Sequence, residues 1–133
     1  MLTKIRNALG ANTTASNNTA VGNHALLSNT TGASNVAVGR VSMASNTTGT
    51  LNVAMGQDAL GLNTTGSNNT AVGETCLYSN TTASNNTAFG SSALRANTTG
   101  TRMTSVGARS GMQNTTGNYN AFFGYDSGES NTT

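Results

Sequence analysis

The chain repeats itself every 17 residues. The tripeptide Asn-Thr-Thr begins at Asn12, Asn29, Asn46, Asn63, Asn80, Asn97, Asn114 and Asn131, without insertion or deletion between copies. A fixed period of this length marks a repeat array, in which one unit cannot bury its own apolar side and a copy stacked on it can. Any fold must therefore give residues i and i+17 equivalent surroundings. The phase runs back into "ALGA" at Ala8–Ala11. The chain is read as one array over residues 12–133, without a linker, preceded by residues 1–11 as an N-terminal partial coil or cap with Leu9 in phase.

Alignment of the units gives columns. Glycine recurs at Gly22, Gly39, Gly56, Gly73, Gly90, Gly107 and Gly124. An apolar column precedes it: Val21, Val38, Met55, Val72, Phe89, Val106 and Phe123. Before that stands Ala20, Ala37, Ala54, Ala71, Ala88 or Ser105, with Phe122 the exception. Four residues after each glycine come Leu26, Met43, Leu60, Leu77 and Leu94, then Gly111 and Gly128. The residue before this last column is always small, and only Gly or Ala follows each Asn-Thr-Thr.

Asn, Thr, Ser and Gly are poor helix formers, and too few apolar residues fall at helical spacing. The columns predict an all-β fold, a parallel β-solenoid or β-roll of about seven 17-residue coils. Two short strands per coil are expected. In "NTAVG" the period of two turns Thr70 and Val72 inward and Ala71 outward. In the stretch ending "CL", Leu77 turns inward and Cys76 outward. The apolar and leucine columns are then the core, the glycines turn the chain, and "NTTG" or "NTTA" makes the return bend, with its Gly or Ala suited to a tight or positive-φ position. Seven coils at the interstrand spacing make a rod about 34 Å long, and stacked asparagines can bond in ladders along it.

Each coil offers about two large apolar side chains, worth roughly 1.5–3 kcal/mol each, against roughly 1–2 kcal/mol to order each backbone unit. A second buried surface is called for. The small column, taken as outward-facing, is expected to supply it by packing against copies of the chain around a threefold axis.

The chemistry-bearing side chains form no pattern. Only 8 % of residues are charged and the net charge is +2, which points to no nucleic-acid partner. No apolar run approaches the roughly 18 residues of a membrane span, and "MLTKIRNALG" lacks the long apolar region of a signal peptide. His24, Cys76, Asp58, Glu74, Asp126 and Glu129 neither recur in their columns nor join a motif. No catalytic residue, metal ligand or cofactor is assigned. Cys76 stands in a small-residue column and reads as a packing residue. Asn-Thr-Thr is also a glycosylation pattern, but sugars spaced about 4.8 Å apart would collide, so a structural turn is preferred. Stacked threonines suggest ice binding, although the two are adjacent and would face opposite ways on a strand. The variable residues after each glycine, such as Arg40, Gln57 and Glu74, mark an exposed edge. Tyr119, Phe122, Phe123 and Tyr125 gather most of the aromatics in the last coil and form a possible contact surface.

The "NTAVG…AL" unit resembles the repeats of trimeric autotransporter adhesin heads, and "NTTGSNNTAVG" (Asn63–Gly73) resembles repeats of phage and other viral tail-fibre proteins. The resemblance spans Asn12 to Thr133, with a period longer than that of the adhesin heads. It implies a left-handed, trimeric β-roll, exposed extracellularly or on a virion. The function expected from it is a non-enzymatic fibre segment, a stiff rod for host or surface attachment, with the chain itself as partner and a host-surface glycan or protein as a further one. A self-assembling subunit of an extracellular filament, stacked end to end, is the first alternative and an ice-binding protein the second. Membrane insertion is not expected.

Overall fold

The computed structural model describes residues 7–133. Seven three-residue strands follow one another: β1 (Thr19–Val21), β2 (Val36–Val38), β3 (Val53–Met55), β4 (Thr70–Val72), β5 (Thr87–Phe89), β6 (Thr104–Val106) and β7 (Ala121–Phe123). They form a single parallel sheet in chain order. Every pairing joins residues 17 apart, as in Thr70↔Thr87, Ala71↔Ala88 and Val72↔Phe89. The molecule is an all-β solenoid of 17-residue coils, with no helix among the described residues. Of the expected partial coil or cap at residues 1–11, residues 1–6 lie outside the described residues. From Asn7 onward the segment stacks in phase: the Leu9 and Ala11 amides donate to the Ala25 and Leu27 carbonyls at 3.0 and 2.9 Å.

Among the described residues the second strand expected in each coil is absent. The arc from glycine to leucine is a run of turns whose backbone alternates in the sign of φ. In the fourth coil Gly73 has φ 135°, Thr75 51° and Leu77 51°. Amides along the arc reach both neighbouring coils, with turn bonds inside the coil between them, such as Cys76 N–H to Gly73 O at 3.4 Å. Leu77 N–H donates to Ala93 O at 3.0 Å in the coil that follows, and Thr75 N–H to Gln57 O at 2.9 Å in the coil that precedes. The ladder thus continues around the arc without extended strand geometry, and Cys76 and Leu77 both end up buried.

The polarity of the true strand is also the reverse of the expected one. Ala37, Ala54, Ala71 and Ala88 are completely buried, whereas Val21, Met55, Phe89 and Val106 are 39–46 % exposed. The apolar column named as core faces out, and the alanine column faces in. The cause is the width of the interior. The arc lies directly against the strand: Ser42 Oγ donates to Ala54 O at 3.1 Å, and Cys76 Sγ to Ala88 O at 3.3 Å. Only a methyl or hydroxymethyl group fits between the two walls, so the larger side chain takes the outer face.

Leu26, Met43, Leu60, Leu77 and Leu94 fill one half of the interior. Asparagine fills the other. Along the Asn-Thr-Thr corner, Asn46 Nδ2 donates to Asn29 Oδ1 at 2.8 Å, Asn63 to Asn46 at 2.8 Å and Asn80 to Asn63 at 2.9 Å, each from fully buried side chains. A second file, including Asn35, Asn52 and Asn69, accepts the backbone amide of its successor. Asn69 N–H, for example, donates to Asn52 Oδ1 at 2.9 Å. The two files meet on one carbonyl in the coils from Gly32 to Gly100: Gly66 O, for example, accepts from Asn52 Nδ2 at 2.9 Å and from Asn63 Nδ2 at 3.0 Å. Among the described residues no buried asparagine side-chain nitrogen or oxygen is left without a hydrogen-bond partner, as a polar group inside a fold requires.

Two small-residue columns have different causes. The turn glycines combine positive φ with close stacking. At Gly39, φ 136°, a Cβ would lie 2.6 Å from the Gly56 carbonyl carbon. For the residue after Asn-Thr-Thr the sequence allows either a tight position or a positive φ. Gly66 does not adopt one, and Ala83 occupies the same column at 3 % exposure. There the limit is space, because a side chain would press on the asparagine amides.

Candidate interaction surface

Both outward positions of every strand are free of charge. They carry Thr, Val or Ala in the first column and Val, Met or Phe in the second. With seven rungs in register, these side chains form an apolar and hydroxyl-bearing face about 34 Å long at the usual strand spacing. Charge begins only at its margins, at Arg40, Glu74 and Arg102. The face is the outward side of a sheet whose inward side is already closed by alanine. Leu51, 57 % exposed, extends it on one flank.

The seventh coil modifies this face. Of the four aromatics named from the sequence, Phe122 is separated from the rest: it points inward and is 9 % exposed, while Tyr119, Phe123 and Tyr125 are 71, 65 and 70 % exposed. Phe122 fits where alanine stands elsewhere because leucine is missing beside it. A Cβ on Gly111 would lie 2.5 Å from Phe122 Cδ2, and one on Gly128 would overlap the same ring. Arginines of the preceding coil hold the two tyrosines. Arg102 Nη1 donates to Tyr119 OH at 2.9 Å with its guanidinium 5.4 Å from the ring centre, and the Arg109 guanidinium stands 6.0 Å from the Tyr125 ring. Arg109 also pairs with Glu129 and, at 3.2 Å, with Asp126. The hydrogen bond to Glu129, followed by the Asp126 charge, shifts its pKa further upward.

The remaining chemical groups are scattered. Asp58 pairs with Arg40 at 3.6 Å, Glu74 is exposed and His24 is half-buried in the arc. Cys76 is buried, and desolvation pushes its thiol up to about 12. Among the described residues no three His, Cys, Asp or Glu side chains come together as a metal site, and the surface has no pocket. The glycosylation-like asparagines from Asn29 to Asn114 are fully buried with their amides bonded inside. No family model, no curated protein and no solved structure matches the chain.

Proposed function

We propose that the chain is a non-enzymatic structural segment, a stiff rod that associates laterally with two further copies of itself through the outward face of its sheet. The observation that carries this reading is the unbroken uncharged face over all seven strands, on a molecule whose interior is otherwise closed. Commensurability favours a copy as the partner. Side chains repeating at the strand spacing interdigitate along the full length only with an array of the same spacing. A strip about 34 Å by 12 Å covers about 400 Å², half of the roughly 800 Å² per partner in a stable pair. Three rods around an axis enclose the strip and bury flanking surface as well. This moves the expected trimer contact from the alanine column, which is interior, to the valine column.

The resemblance to adhesin heads and tail fibres supports placing such a bundle on a virion or cell surface, where it holds an attachment structure away from its base. Sedimentation equilibrium over a range of concentrations tests the association. A mass of three chains, reduced to one by Val72→Asp with an unchanged β-sheet spectrum, is expected. A monomeric wild-type protein, or a trimeric variant, contradicts it.

A second reading has one observation behind it. Thr31, Thr48, Thr65, Thr82, Thr99 and Thr116 form an exposed file along the corner, while Thr30, Thr47, Thr64, Thr98 and Thr115 turn their hydroxyls to the next coil, as Thr47 does to Thr64 O at 3.1 Å. A regular rank of threonines suits ice binding, and thermal hysteresis that disappears on Thr65→Lys is its test.

A further inference from the structure

A bundle of repeat rods has a problem of register. Both outward columns are uncharged in every coil, so sliding one rod by one coil exchanges one apolar or hydroxyl-bearing side chain for another along its whole length. Phe89 does not settle the matter, because a two-coil slip sets it against Phe123 of a neighbouring copy. No slip gives Tyr119 or Tyr125 an aromatic counterpart, because their columns hold an aromatic residue in the seventh coil alone. These rings flank Phe123 on the two sides of β7. All three are exposed by more than 60 %, and the tyrosines are fixed by Arg102 and Arg109 from the coil before. The strand beneath them is anchored by Phe122, seated in the space left by Gly111 and Gly128.

We infer that Tyr119, Phe123 and Tyr125 set the axial register of the self-associated bundle, with second and third copies of this chain as the partners they contact. The tyrosines, with the arginines of the preceding coil behind them, are side chains of the kind that dominate protein interfaces, while the rungs before them stay uncharged at every offset. The inference rests on the lateral association proposed above.

The test uses two reporter chains in a Cys76→Ala background, one carrying Thr70→Cys and the other a mass-tagged Thr104→Cys. Both sites are outward positions, two coils apart, so in an aligned bundle they are offset by about 10 Å and come level only on a two-coil slip. The chains are unfolded together, refolded and joined with a bismaleimide shorter than that offset. With native aromatics, only 70–70 and 104–104 products are expected. With Tyr119→Asn and Tyr125→Ser, residues found in these columns in other coils, a two-coil slip still sets Phe89 against Phe123, and 70–104 products approach the level of the homologous ones while sedimentation still gives three chains. Homologous products alone from the double variant overturn the inference and leave the bundle standing. A monomeric wild-type protein overturns the bundle itself, and with it this inference. Circular dichroism confirms that the double variant is folded, and Tyr125→Ser alone serves as the milder variant should it not be.

Discussion

Replacing Asn63 by alanine strikes the interior at its most polar point. Three bonds disappear: Nδ2 to Asn46 Oδ1 at 2.8 Å, Nδ2 to Gly66 O at 3.0 Å, and the bond accepted from Asn80 Nδ2 at 2.9 Å. They are not lost equally. Gly66 O keeps its bond from Asn52, and Asn80 keeps its bond to Ala83 O. What remains stranded is Asn46 Oδ1 and one Asn80 N–H, both on fully buried side chains. At about 1–3 kcal/mol for each buried polar group left unpaired, the cost is about 2–6 kcal/mol before any cavity term. Asn12→Ala breaks the equivalent rung at the first coil, where the bond from Asn29 at 3.1 Å is only part-buried and water can replace it, for about 1 kcal/mol or less. Urea unfolding followed by circular dichroism compares the two, with hydrogen exchange at the flanking coils because repeat arrays need not unfold in one step. A midpoint shift several times larger for Asn63→Ala is expected. Equal, small shifts would refute the claim that the amide ladder holds the stack together.

Three further outcomes follow from the same geometry. Gly73→Ala puts a Cβ 2.6 Å from the Gly90 carbonyl carbon at φ 135°, whereas Gly124→Ala, φ 113°, meets nothing within 4 Å. The first should cost about 2–6 kcal/mol from strain and overpacking together and the second about 1–3 from strain alone, as read by thermal unfolding. Phe122→Ala should cost about 3–5 kcal/mol and Gly111→Leu about 1–3; the double variant should cost less than their sum, because leucine fills the space that the ring vacates, and a double-mutant cycle measures the difference. Cys76 keeps its proton in the folded chain until about 12, against 9.0 as its reference value. The folded state therefore binds more protons across that window, and stability falls as pH rises through it. The urea midpoint of Cys76→Ala should fall less over the same range, and the native thiol should react with maleimide only as fast as the chain opens.

The period carried most of the architecture. It dictated in-register parallel pairing, a leucine file inside and stacked amides, all before any side chain was placed. It failed at the strand because hydrophobicity argues for valine inside, and nothing in a single coil reveals that the arc lies one methyl group away from the strand. The array did hold a clue. Phe122 breaks the alanine column in the same coil that replaces leucine by Gly128, one coil after Gly111 does so. Large-for-small in one column against small-for-large in another is what two columns facing the same space produce. The arc was misread as a strand for a different reason: left-handed backbone at Leu77 and Thr75 runs against their local preferences and is imposed by the ladder to neighbouring coils. The contact surface inherited the first error. Once the strand is inverted, valine replaces alanine as the face available to a partner.

The orientation of that face within an assembly decides the account most directly. A cryo-EM reconstruction of the purified protein should show three parallel rods with rungs about 4.8 Å apart, each turning the Val38, Val72 and Val106 side of its sheet toward a common axis and its Asn-Thr-Thr corner to solvent. Single rods, or rods that meet through any other face, would contradict it.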